Sequence, residues 1–241
     1  MDMTLRYYQN DLSNGIDAAW TRVANVLAVS ATGSGKTVVV AHKIKQEPGA
    51  SVFIAHRTEL VAQASLALAR EGVRHKVIGP ASLQRNCAQI HLTELGRSWY
   101  DPNAKTAVAG VDTLVRLPPA DPWRAQVRLW VCDEAHHLCY SSPGKPNKWA
   151  AAALMFPNAR GLGVTATPLR ADGKGLGRHA DGLMDELVQG PPMLLLITEG
   201  WLTPYRVFAP PSDLDLSGVA TSAGGDYSPD PLRKAVPRQC E

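Results

Sequence analysis

The sequence has no long apolar run. Its longest uninterrupted one covers residues 149–156, eight positions, where a membrane-spanning helix needs about 20. The start, Met1-Asp2-Met3-Thr4-Leu5-Arg6, carries neither an apolar core nor a cleavage site, so no secretory signal is expected. Cysteine is scarce: Cys87, Cys132, Cys139 and Cys240 stand apart with no C-x-x-C spacing. That spacing argues against a disulfide framework or a zinc site and for reduced thiols in a cytoplasmic protein. Charge of one sign is also lacking, since 25 basic and 22 acidic residues leave a net charge of only +3. Such a balance permits a nucleic-acid partner without establishing one. A G-x-y period and a repeat of 20–50 residues are absent as well. With 45 % hydrophobic residues the chain is neither disordered nor fibrous.

What is present is alternation. Short apolar runs at 25–30, 51–55, 105–109, 128–132 and 160–165 read as strands. Residues 36–45, 58–70 and 148–156 read as helices, with Leu60, Ala64 and Leu68 on one face of the second. Near-continuous apolar strands separated by helices predict an α/β fold: a mostly parallel sheet with helices on both faces. Ligands on such sheets bind at the carboxyl ends of the strands, which singles out the loops after Ser30, Ala55, Ala109, Cys132 and Val164. Residues 191–201 are expected to form one more helix and 205–209 a last short strand. From Pro210 the chain is rich in Pro, Gly, Ser and Asp and reads as a linker or tail.

The first of these loops spells Ser30-Ala31-Thr32-Gly33-Ser34-Gly35-Lys36-Thr37. This is the phosphate-loop pattern G-x-x-x-x-G-K-[ST] with serine in the first position. Glycines let the backbone curl its N–H groups toward a phosphate, and a helix starting near Lys36 adds its positive end. Lys36 is expected to pair with the β and γ phosphates of ATP and the Thr37 hydroxyl to ligate Mg²⁺. The bland alternative is a flexible Gly/Ser turn, which the strand before and the helix after disfavour.

After the strand at 128–132 comes Asp133-Glu134-Ala135-His136. A phosphate-loop NTPase needs an aspartate there to hold Mg²⁺ and a base to orient water, roles that suit Asp133 and Glu134. The competing reading is a helix N-terminus favouring acidic residues. His136 is expected on the γ-phosphate side of the site, and no H-E-x-x-H spacing supports a metal role for His136 or His137.

These two segments resemble motifs I and II of superfamily 2 helicases in the DEAH-box spelling. Thr165-Ala166-Thr167-Pro168 resembles motif III, which couples hydrolysis to movement on nucleic acid. Leu5-Arg6-Tyr7-Tyr8-Gln9 is similar to the family's adenine-reading segment, which implies that Gln9 reads the adenine edge and Arg6 assists. The segment from Ala55 to Gln63 is similar to motif Ia, and Val111-Asp112-Thr113-Leu114 to a later strand-gripping motif. These imply backbone contacts by Arg57 and Thr113. Residues 165–177 also resemble phage and bacterial repair-type helicases. The resemblance covers about residues 4–210.

The resemblance implies a RecA-like P-loop NTPase domain at 1–209, with 210–241 leading toward a second RecA-like domain. It implies ATP and Mg²⁺ as cofactors, a nucleic-acid partner (DNA in preference to RNA), no membrane, and a bacterial or phage source. The second domain would supply an arginine finger, and Arg233 and Arg238 have no such motif around them. A truncated fragment, a split gene or a partner in trans would each account for this, the first being favoured. The reading is the ATP-binding half of a helicase, poorly active alone. Alternatives are a non-unwinding DNA translocase subunit of restriction or remodelling type, or a nucleotide-binding module inactive by itself.

Overall fold

A computed structural model describes residues 4–142, 144–169 and 175–206, together with Phe208 and Val219. The chain opens with helix α1 (Tyr7–Trp20), whose Tyr8, Leu12, Ile16 and Ala19 fall on one buried face. Then follow β1 (Asn25–Val29), α2 (Lys36–Gln46), β2 (Ala50–Ala55), α3 (Thr58–Arg70), β3 (Lys76–Ile78) and α4 (Ala81–Leu95). The second half carries β4 (Ala107–Gly110), α5 (Val111–Leu114), α6 (Pro122–Gln126), β5 (Val127–Asp133), β6 (Tyr140–Ser142), β7 (Lys145–Pro146), α7 (Lys148–Leu154), β8 (Arg160–Thr165), β9 (Glu186–Gln189) and α8 (Met193–Thr198).

Seven strands form one sheet in the order β3-β4-β2-β5-β8-β1-β9. Every pairing in it is parallel, while β6 and β7 make a separate antiparallel pair. Successive strand side chains point to opposite faces. Val26, Ala28, Phe53, Ala55 and Val108 therefore pack under α1, α2, α3 and α4. Leu27, Val29, Val52, Ile54 and Trp130 pack under α5, α6 and α7 on the other side. The α/β reading, a parallel sheet covered on both faces, holds.

The expected strands at 25–30, 51–55, 105–109, 128–132 and 160–165 and the helices at 36–45, 58–70 and 148–156 all appear, with ends shifted by at most two residues. The helix expected at 191–201 is shorter, because Pro192 caps its start and a left-handed Gly200 closes its end. Tyr205 and Arg206 have no regular structure, so the strand expected at 205–209 does not form over them, and Phe208 is exposed. The tail at 210–241 and the segment at 170–174 lie outside the described residues, Val219 excepted. Among the described residues no helix is long and apolar enough to cross a membrane.

Register levels the strand ends. Val29 stands beside Thr165, Asp133 beside Val164, and Ala55 beside Gly110. All the loops singled out by sequence thus leave one edge of the sheet together.

Candidate functional site

The loop between β1 and α2 is built by two left-handed glycines, Gly33 at φ +81° and Gly35 at φ +85°. A side chain at Gly35 would also run into Gln9 Nε2. Ser30, standing where the pattern has glycine, is 4 % exposed. Its amide donates to Thr165 O at 3.1 Å, and its hydroxyl lies 2.8 Å from that of Ser34. The serine ties the loop's base to β8 without needing glycine's freedom. Lys36 opens α2 and folds across the loop, donating to Ser30 O at 3.1 Å and Ala31 O at 3.2 Å. Burial lowers its pKa, against the pull of Asp133 and Glu134, which raise it.

Gln9 is brought to the same loop by α1. Its Nε2 donates to Ser34 O at 2.9 Å while its Oε1 accepts from the Arg6 amide at 2.9 Å. Each end of the amide keeps one further hydrogen or lone pair.

Two strands away, Asp133 ends β5 and accepts from the Glu134 amide at 3.0 Å. Burial raises its pKa from the ordinary carboxylate value, offset first by the Glu134 amide and then by Lys36 and His136. Glu134 sits at φ 53°, ψ 52°, left-handed for a residue with a Cβ. Such a conformation costs about 1–2 kcal/mol and persists only where the surroundings impose it. The chain then turns at residues 135–137 in one 3₁₀ turn. His136 Nδ1 lies 3.4 Å from Glu134 Oε2 and 3.4 Å from Thr165 Oγ1. Thr165, fully buried, donates to Thr167 O at 3.0 Å and accepts from its amide at 3.1 Å. Glu134, His136 and the 165–167 turn are one connected set. Glu134 is the N-cap of that 3₁₀ turn and makes no side-chain cap hydrogen bond.

Arg57 and Thr113 stand apart from this set, on the loops after β2 and β4, which neighbour each other in the sheet. Arg57 is exposed at the start of α3 and Thr113 is half-buried in α5. A layer that sequence did not reveal joins the two halves: the His137 ring stacks on Trp149 at 5.1 Å and 17°, and His56 meets the same indole at 5.4 Å. Sequence also passed over Trp201, whose ring packs against the Arg6 guanidinium at the start of α1. A lone aromatic after a helix-ending glycine was its only local signal.

The residues suit a nucleotide with Mg²⁺. Cation and curled backbone face where phosphates would lie, and Thr37 and Asp133 offer oxygen donors alone. Among the described residues no group of three or more His, Cys, Asp or Glu could enclose a metal.

The type III restriction enzyme res-subunit family matches residues 2–170. The Schizosaccharomyces pombe protein irc3, described as a mitochondrial ATP-dependent helicase, is 31 % identical over 214 residues, 85 % of this chain and 32 % of irc3. The chain thus spans about a third of the length of the curated relative it matches. The UvsW helicase of bacteriophage T4 superposes with a TM-score of 0.55 at 16 % identity, covering 78 % of this chain and 60 % of that one. A nuclease-deletion form of LlaGI, a Type ISP restriction-modification enzyme in complex with a DNA substrate mimic, gives 0.55 at 11 %, over 82 % of this chain and 21 % of its own. The two structures bear out the fold.

Proposed function

Since the chain belongs to the type III restriction enzyme res-subunit family and has the N-terminal RecA-like fold of superfamily 2 helicases, we propose that it is the ATP-binding half of a nucleic-acid motor. The observation that carries this reading is the convergence of Lys36, Asp133, Glu134, His136 and Thr165 at one edge of the sheet.

In this reading the N–H groups of residues 32–37 cradle the phosphates of ATP and Lys36 pairs with the β and γ phosphates. Gln9 reads the adenine edge through its remaining hydrogen and lone pair, with Arg6 beside it. Thr37 and Asp133 hold Mg²⁺, which neutralises charge on the phosphate oxygens when bound. Glu134 orients the hydrolytic water and takes its proton. His136 relays the state of Glu134 to Thr165, Ala166 and Thr167, the turn that couples hydrolysis to movement. Arg57 and Thr113 grip the sugar-phosphate backbone of a DNA strand, an affinity that carries no base sequence.

The same reading assigns residues 1–209 to the RecA-like domain and 210–241 to a connection toward a second one, on the same polypeptide or in trans. That second domain supplies an arginine finger, worth about 10³–10⁵ in rate. The thiols of Cys87 and Cys132 are free and buried, which suits the reducing cytoplasm of a bacterium, including one expressing phage genes. The family match also favours a second version, a restriction-type translocase that moves without unwinding. A strand-displacement assay on the completed motor separates the two.

Calorimetric titration of Mg·ATP into the 241-residue chain and into Lys36→Ala tests the site. The reading expects at least a tenfold loss of affinity in the variant; equal affinity overturns it.

A further inference from the structure

The segment that leaves α8 crosses to the phosphate loop. Gly200, at φ +78°, ends the helix: its amide donates to Ile197 O at 3.0 Å and the Trp201 amide to Leu196 O at 2.8 Å. These are the two bonds of a left-handed helix terminus that reverses the chain, a conformation that favours glycine. The reversal delivers Leu202 to the loop. Leu202 Cδ2 lies 3.1 Å from where a Cβ on Gly33 would stand.

Trp201 is held there with care. Its Nε1 donates to Glu199 Oε2 at 3.1 Å, and the same oxygen accepts the Tyr7 hydroxyl, so α1 and the end of α8 share one carboxylate. Tyr8 meets the indole edge-on at 5.8 Å and Tyr7 at 6.3 Å. The Arg6 guanidinium sits 4.9 Å from the ring centroid. Yet the residue stays 39 % exposed. An indole with its polar edge satisfied, its rim braced by two tyrosines, one face backed by a guanidinium and part of its surface left open is a stacking surface for a planar ring. It packs on Arg6, its chain neighbour Leu202 reaches the loop at Gly33, and Arg6 begins the helix whose Gln9 touches Ser34.

We propose that Trp201, together with the exposed Arg6, is the platform on which the purine base of the nucleotide stacks. This rests on the nucleotide reading of the β1–α2 loop and extends it to a residue outside the family match, which ends at residue 170. The indole supplies base affinity, Arg6 backs the indole from its other face, and Gln9 reads the edge of the base. The phosphates are bound independently of all three.

The test compares Mg·ADP with inorganic tripolyphosphate, which has no base, on the full chain by calorimetry. Stacking on an aromatic side chain predicts that Trp201→Ala weakens ADP about 5- to 150-fold. Tripolyphosphate affinity stays within twofold, and Trp201→Phe recovers most of the ADP affinity. No loss for ADP overturns the proposal. So does an equal loss for ADP and tripolyphosphate, which would mark a structural prop under the loop. A Trp201→Ala chain that does not fold hands the decision to Trp201→Leu and Arg6→Ala, which must each weaken ADP while sparing tripolyphosphate. If the wild-type chain binds neither ligand, the nucleotide reading itself fails and takes this proposal with it.

Discussion

Replacing Ser65 by alanine removes a single hydroxyl and, with it, the middle of a buried hydrogen-bond chain. The Trp99 amide donates to His91 Nδ1 at 3.3 Å, and His91 Nε2 lies 3.0 Å from Ser65 Oγ. Ser65 Oγ in turn lies 2.7 Å from His75 Nε2, whose Nδ1 is 2.8 Å from Val73 O. Only one arrangement of protons satisfies every member: His91 donates to the serine, the serine to His75, and His75 to Val73. Both imidazoles are therefore neutral. Ser65, His75 and His91 are all fully buried between α3, β3 and α4. Ser65→Ala leaves a buried donor on His91 and a buried acceptor on His75, each costing about 1–3 kcal/mol. The expected loss is about 2–5 kcal/mol, a large share of a domain's stability. Urea denaturation at pH 7.5 should show the midpoint falling with an unchanged slope. The chain also sets a pH dependence. Burial lowers the pKa of His75 to about 4 from 6.5. A lowered histidine pKa means the unfolded chain takes the proton first. Its contribution is full above pH 6.5, fades as pH falls toward 4, and amounts to about 3 kcal/mol. A His75→Gln variant should lose that portion of the pH slope and keep the rest. Stability of Ser65→Ala within 0.5 kcal/mol of wild type, or equal slopes for wild type and His75→Gln, would refute the proton arrangement.

Three further perturbations address the site and its support. Gly35→Ala forces a Cβ into a left-handed backbone and against Gln9. It should lower stability by about 1–2 kcal/mol and Mg·ATP affinity by more than tenfold, read by thermal melting and calorimetry on the same samples. Glu134→Gln keeps shape but loses the base, so Mg·ATP should bind as in wild type while single-turnover hydrolysis slows by about 10²–10⁴; loss of binding would count against the role. Gly161→Ala drives a methyl into the Trp130 ring, an overpacking worth about 1–3 kcal/mol, visible in urea melts with nucleotide affinity unchanged once folded.

Much of this molecule is legible in its sequence, for physical reasons. Strands buried on both faces must be apolar throughout, so β1, β2, β5 and β8 stand out as runs. The loops at 30–37 and 133–136 are legible because curled backbone needs glycine and a polar pair after a buried strand needs a use. Other parts are hidden. In α4 the buried face is Leu83, Cys87 and His91, a helical spacing disguised by a histidine that belongs inside only because Ser65 satisfies it. β3 is three residues long and β9 alternates between half-buried and exposed, so neither makes a run. The apolar face of α1, Tyr8, Leu12, Ile16 and Ala19, is in the sequence at helical spacing, and only its first residue falls within the adenine-segment resemblance. The strand order is not written locally. Nothing near Ser30 says that its neighbour is Thr165, and nothing near Leu202 says that it lies by Gly33. Those facts arise from sheet crossovers that bring distant loops to one edge.

The central claim is that the edge formed by the loops at 30–37, 133–136 and 165–167 is a nucleotide site. Backbone amide NMR of the full chain, titrated with Mg·ADP, tests it most directly. The account predicts saturable shifts concentrated in those three loops and at Arg6 to Gln9. Shifts confined instead to the 360 Å³ cavity lined by Leu27, Leu176, Met184 and Leu187, or none at millimolar Mg·ADP, would contradict it.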